Sequence, residues 1–405
     1  MIQNSWLGRK MEKKGMENTE IKNTRIGNAV RKRDPRYDCL RSLAAAAIIM
    51  VHAMPVETAG RGQWIFNHLT TPVLLSFVGI YFMLSGMFLL ERGTEHLGEF
   101  YKKRLIQVGI PFLLYGLIYY CYNVYADGIH LPLWQHPLVF LRQAVTAGIP
   151  RAGHLWFMYG LAAFYLCAPF LSRMVKAMTD QELAFFLILM FGIHMLESLG
   201  EILGIDIKPW AQFILYTGWV YYFLLGYGLK RLWGQRKIKG GIGGLCFLGS
   251  FGLLLDLGAD CLLPGWIPST PHKLPSMTFL CISIFLAFEQ YGNRIPQWAG
   301  KIGQFVGRYS FSIYLIHFLI LSYFVHPKLT APLFEKHYIG GTVAETAITF
   351  LLSLGVSVFL DWAVTDRVKG LVILVKGRKL LYNGNQRVGS KRQKKEDYGY
   401  ENGDH

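Results

Sequence analysis

Charge is scarce in this chain. Only 17% of its 405 residues are Asp, Glu, Lys or Arg, against 52% hydrophobic, too little polar surface to cover soluble domains of that length. No polar stretch between Tyr37 and Asp366 is long enough for a separate globular domain. Cysteine pairing is missing too: six cysteines are scattered without a CxxC, mostly in apolar runs, so they read as small buried residues rather than a disulfide framework or zinc site. No GxSxG, P-loop, HExxH or dinucleotide fingerprint stands in a usable context, which excludes the soluble-enzyme chemistries those motifs serve. Residues 1–36 hold no apolar run, and we expect no cleavable signal peptide.

What the chain has instead is apolar runs of membrane-spanning length. They fall near 37–56, 71–90, 106–126, 154–172, 183–199, 211–229, 242–259, 274–289, 305–326 and 342–364. The expected fold is therefore an all-α polytopic membrane protein of about ten transmembrane helices, the fifth interrupted by His194 and Glu197 and the seventh rich in glycine. The net charge of +16 comes from basic residues flanking these runs, as the positive-inside rule requires, and not from a basic module suited to nucleic acid. Loops on one side carry about twice the Lys and Arg of the other, placing both termini in the cytoplasm. Residues 1–36 and 371–405 read as basic cytoplasmic tails, the first disordered and able to touch anionic membrane lipid, around a membrane domain at 37–370. Trp64, Trp134, Trp210 and Trp266 lie near expected outer boundaries, as interfacial anchors or sugar-stacking rings.

Four places carry polar groups that a passive span does not need. In Tyr37–His52, Arg41 and His52 share one helical face about 16 Å apart, with Asp38 near it; lipid tolerates neither, so both should face protein or a wet cavity. In the ninth span Ser310, Tyr314 and His317, spaced i, i+4, i+7, also share a face, and two histidines beside a tyrosine make a proton-handling centre unless the stripe only joins helices. Lys103 and Arg104 enter the third span as topogenic charge or as a phosphate grip. His154 and Trp156 open the fourth span, where an aromatic belt looks the same. His194, Glu197, Glu289 and Asp361 read as pairing or capping groups.

Together these motifs resemble the acyltransferase-3 family of integral membrane acyltransferases, and within it the surface-polysaccharide O-acetyltransferases that have no SGNH esterase-like domain. The resemblance rests on Asp38-x-Leu40-Arg41 with His52, on Tyr81-Phe-x-x-Ser85-Gly86-x-Phe88, on Lys103-Arg104 before Pro111, on His154-Leu-Trp156-Phe157 with Tyr165 and Pro169, and on Ser310-x-x-x-Tyr314-Leu-x-His317. Gln107 stands where the family often has a further arginine. The resemblance implies acyl transfer, most often acetyl, from a cytosolic acyl-CoA to a hydroxyl of an extracytoplasmic or lipid-linked cell-surface saccharide. Acetyl-CoA or another acyl-CoA would be a donor substrate rather than a permanent cofactor, and an envelope-biosynthesis protein a possible partner.

In that scheme Arg41, Lys103 and Arg104 hold the donor phosphates and His52 is general base or acyl relay. Tyr314 and His317 orient or reprotonate it, His154 and Trp156 shape the acceptor entrance, and Ser85 and Ser310 line the substrate path. The rival reading is a transporter or flippase for a glycan precursor or amino acid, since ten spans with polar midplane groups also suit a carrier.

Overall fold

The computed structural model describes residues 33–54, 60–91, 96–203, 205, 218–234, 241–262, 275–368 and 370. Contacts separate a compact unit beginning at Arg36 from residues 1–35. Most of both expected tails, the start of the sixth expected span, Trp210 and Trp266 lie outside the described residues.

Regular structure among the described residues is helical throughout. In chain order the helices are α1 (Pro35–Ala53), α2 (Arg61–Glu91), α3 (Leu97–Arg104, continued through a π-helical turn at Leu105–Gly109 into Ile110–Ala126) and α4 (His136–Val145). Then follow α5 (Trp156–Ala177), α6 (Asp180–Leu203), α7 (Gly218–Trp233), α8 (Gly241–Leu262) and α9 (Pro275–Tyr291). α10 (Gln297–Ile320) runs on through π-helical Leu321–Thr330, and α11 (Tyr338–Leu360) through π-helical Asp361–Thr365.

Five helical stretches among the described residues are long and apolar enough to cross a membrane: Arg61–Glu91, Leu97–Ala126, Gly153–Ala177, Gln297–Leu333 and Tyr338–Val368. They match the spans expected at 71–90, 106–126, 154–172, 305–326 and 342–364. The opening stretch is helical, but α1 stops at Ala53 and carries Arg36, Asp38 and Arg41 in its first turns, which dilutes its hydropathy. α7 and α9 are described over 16 and 17 residues, short of the ~20 that a perpendicular crossing takes.

α2 lies at the centre, packed along α7 and also against α5 and α9. Its crossing with α7 is reciprocal: a Cβ at Gly86 would fall 1.7 Å from the Phe223 carbonyl oxygen, and one at Gly226 2.0 Å from that of Met83. Only glycine lets the two backbones meet. A second close approach sets α1 on α10, where Gly303 and Gly307 recur at i, i+4 on the face that receives Cys39 and Asp38. Ser42 Oγ donates across this seam to the Gly303 carbonyl at 3.0 Å. Small residues at such spacing let membrane helices pack backbone to backbone.

The first turn of α1 is also tied down. Tyr37 Oη donates to Glu289 Oε2 at 2.5 Å, Lys230 Nζ donates to Tyr37 Oη at 3.0 Å and pairs with Glu289, and Arg36 Nη1 donates to the Glu289 carbonyl at 3.0 Å. Glu289 is thus a pairing group joining α1, α7 and α9. With one end locked and its side laid on α10, α1 has little freedom in where it delivers its last turn.

Candidate functional site

That last turn carries His52. The glycine seam brings it beside His317 of α10, ring centroids 5.4 Å apart. The 3₁₀ turn Gly153–Leu155 that opens α5 adds His154, 5.0 Å from His317 and 6.4 Å from His52. Phe318 closes the group, stacked on His154 at 5.3 Å and edge-on to His52 at 5.2 Å. His317 is wholly buried and His154 is 5% exposed, whereas His52 is exposed despite three rings around it. The trio therefore has one member at the surface of the bundle and two behind it. Among the described residues no group of His, Cys, Asp or Glu side chains is arranged to hold a metal ion, the trio included.

Hydrogen bonds fix how the buried rings are turned. His317 Nδ1 lies 2.7 Å from the Tyr314 carbonyl oxygen. A carbonyl only accepts, so Nδ1 carries the proton and Nε2 the lone pair. That Nε2 is buried without a hydrogen-bond partner among the described residues. By the same argument His154 Nε2, 3.4 Å from the Leu315 carbonyl oxygen and 3.5 Å from Tyr119 Oη, bears its proton and leaves Nδ1 as a buried lone pair, again without a partner. Tyr119 Oη in turn accepts from Leu319 N at 3.0 Å. His154 and Tyr119 thus engage the carbonyl of Leu315 and the N–H of Leu319, two groups that pair with each other in a regular helix, and the π-helical stretch begins two residues on. Side chains inserted into a helix ladder are a known origin of such bulges.

The charged end of α1 forms a second group. Arg41 Nη1 pairs with the buried Asp38 carboxylate at 2.9 Å, and its guanidinium lies 4.9 Å over the Phe88 ring. Tyr81 Oη donates to the Arg41 carbonyl at 3.1 Å. Arg104 stacks over Phe100 and Tyr165 at 5.3 and 5.5 Å and donates to Gln107 Oε1 at 3.3 Å. Tyr165 feels the charge of both Arg104 and Arg41, so the two guanidinium groups converge on one tyrosine. Lys103 is exposed beside them.

The expected pairing of His154 with Trp156 at one entrance is not what the structure has. His154 sits inside the histidine group, while Trp156, 46% exposed, packs on Trp219. Ser85 and Ser310 turn back onto their own helices, bonding the carbonyls of Tyr81 and Gly307. Tyr314 Oη donates to the backbone carbonyl of His154, so it positions that turn rather than meeting His52. Tyr119 and Phe318 were missed in the sequence; Tyr119 shares a face of α3 with Tyr115 and Tyr122, a stripe that reads as ordinary packing.

The loop into His154 holds its form through Arg151, which donates to both oxygens of Asp127 at 2.7 and 2.5 Å and to Asn123 Oδ1 at 2.9 Å, with Arg151 itself at φ +59°. These bonds hold the Asp127 carboxyl below its ordinary value of 3.8. A carboxyl lowered in the folded state contributes order above that ordinary value and loses it as pH falls through the lowered one. The protection of residues 127–152, exchange compared with each amide's intrinsic rate at the same pH, should therefore hold from neutral pH down to pH ~4 and fall only in stronger acid, whereas Asp127→Asn should show reduced protection already at neutral pH.

A bundle of apolar helices surrounding an internal cluster of three imidazoles defines a multi-pass membrane protein with acid–base groups inside it. Residues 34–362, most of the chain, match the acyltransferase domain model of the acyltransferase 3 family, and the protein belongs to that family. Among curated relatives, an amino-acid racemase of Enterococcus faecalis is 38% identical over 82 residues, 19% of this chain and 11% of the racemase. The chain thus spans about a tenth of that relative's length. No solved structure matches.

Proposed function

We propose that the protein transfers an acyl group, acetyl first among the candidates, from a cytosolic acyl-CoA to a hydroxyl of an extracytoplasmic or lipid-linked saccharide. In this reading it crosses the cytoplasmic membrane ten times with both termini inside. The observation that carries the reading is the exposed His52 backed by His317, whose Nε2 lone pair is buried without a partner among the described residues. An acceptor hydroxyl reaching His52 loses its proton to the imidazole as its oxygen attacks the thioester carbonyl. The carbon–sulfur bond breaks with its electron pair on sulfur, which takes up a proton. In this reading His317 and His154, each holding one lone pair, receive and return the proton.

At the other end of α1, Arg41 and Arg104, with Lys103 beside them, would hold the donor phosphates. About 16 Å of helix between Arg41 and His52 suits a donor whose phosphates and thioester lie far apart. The racemase match covers too little of that protein to bring racemase activity here.

The test is purified protein in lipid vesicles given acetyl-labelled acetyl-CoA and a membrane glycan extract. Label should move into the glycan fraction; recovery of all label as unchanged donor with every extract and acyl chain tried would contradict the assignment. Arg41→Ala should raise the donor KM about tenfold to a hundredfold, the worth of a charge-assisted phosphate contact, and leave kcat less affected.

A further inference from the structure

α11 is inside out. Its buried face is Tyr338, Gly341, Thr342, Glu345, Thr349, Ser353 and Ser357, while Val343, Leu351, Leu352, Val356 and Phe359 are exposed. An ionisable group buried in a membrane helix, such as Glu345, points to function, whereas Ser and Thr also serve close helix packing. Interhelical bonding would be one such use, yet Thr349, Ser353 and Ser357 are each 0% exposed, and the hydroxyls of Thr349 and Ser353 have no hydrogen-bond partner among the described residues.

Independent groups point into the same row. Glu345, 1% exposed, accepts from or donates to His326 Nδ1 through Oε1 at 3.0 Å and leaves Oε2 without a partner. Near the other end Tyr115 of α3 is buried, with its hydroxyl in hydrogen-bonding reach of Ser312 and Ser357 and close to the Asp361 carboxylate. Asp361 itself accepts from Ser312 Oγ at 3.1 and 3.0 Å.

The spacing says what fits. Hydroxyls four residues apart are about 6 Å apart along a helix, too far for a direct bond and close to the ~5.6 Å that one bridging water spans. From Glu345 to Asp361 the row extends about 24 Å, most of a ~30 Å hydrocarbon core.

We propose that the row Glu345–Thr349–Ser353–Ser357–Asp361, buried as far as Ser357 and half-buried at Asp361, with Tyr115 beside it, is a water-filled proton path along α11. Each oxygen passes one proton on as it accepts another, so no net bond forms. The titratable groups facing it are His326 and Glu345 at one end and Tyr115 and Asp361 at the other. The path stands apart from the acyl-transfer reading. It is also available to that reading, because Tyr115 lies one helical turn from Tyr119, which touches His154.

The test reads protons and not transfer. Purified protein in vesicles holding a trapped pH dye, with valinomycin and potassium clamping the potential, is given an acid step. The lumen should acidify faster than in protein-free vesicles. Ser353→Val and Glu345→Gln, each confirmed folded by its melting curve, should return the rate to the protein-free level, while Gly355→Ala on the lipid face keeps it. Wild-type vesicles no faster than protein-free ones, or a folded Ser353→Val protein conducting like wild type, would overturn the path and leave the transfer assignment untouched.

Discussion

Replacing His52 with alanine should lower kcat for acyl transfer by about 10²- to 10⁴-fold, the usual contribution of a positioned general base, with the fold intact. The two halves of that expectation come from the same observation. His52 is exposed, so its side chain contributes little packing, and exposed positions usually change stability by no more than about 0.5 kcal/mol. The loss should therefore appear in kcat with an unchanged melting temperature. His317→Asn is the companion variant: its amide nitrogen can still donate to the Tyr314 carbonyl as Nδ1 does, but it has nothing to replace the Nε2 lone pair. If His317 only holds the helix, His317→Asn should transfer at nearly the wild-type rate; if it handles the proton, it should fall toward His52→Ala. Because the two rings would serve one proton, the double variant should be little worse than His52→Ala alone.

The second large effect is expected far from the imidazoles. A Cβ at Gly307 would stand 2.7 Å from the Asp38 carbonyl oxygen and 2.9 Å from Asp38 Cβ, and neither backbone nor Cβ can rotate away. Gly307→Val must push α1 off α10. Overpacking of this kind typically costs about 1–3 kcal/mol, but the functional penalty should be larger. A displacement of about 1 Å between reacting groups can cost 10²-fold in rate, and α1 is the element that sets His52 against His317. Gly307→Val should therefore lose about a hundredfold in transfer while still folding in detergent, whereas Gly355→Ala, with no atom within 4 Å of the added carbon, should behave as wild type. Equal activity in the two variants would show that the α1–α10 seam does not position the site.

Much of this arrangement was legible in the residues. Arg41 and His52 share a face because eleven residues make three helical turns, and Ser310, Tyr314 and His317 share one by the same periodicity; the structure brings His52 and His317 together, while Arg41 lies over Phe88 and Tyr314 bonds the His154 carbonyl. Hydropathy also located the five helical stretches that, among the described residues, are long and apolar enough to cross a membrane. Other features were hidden for physical reasons. His154 looks like part of an aromatic belt because His-Leu-Trp-Phe has the composition of one; its place in the cluster depends on the 127–152 loop, whose form rests on a long-range Asp127–Arg151 pair. The glycines at 86 and 226 announce close approach but not to which helix. The row on α11 was in plain view at 345, 349, 353, 357 and 361. Serine and threonine barely lower a hydropathy average among Leu, Val and Phe, so the window saw a span and not its polar face.

The account stands on His52 as the group that takes the acceptor's proton. The most direct measurement is single-turnover transfer of labelled acetyl from acetyl-CoA to a membrane glycan extract, by wild-type protein and His52→Ala side by side in the same vesicles. We expect label in the glycan within one turnover for wild type and none above background for His52→Ala, with equal melting temperatures. Equal transfer by the two proteins would contradict it.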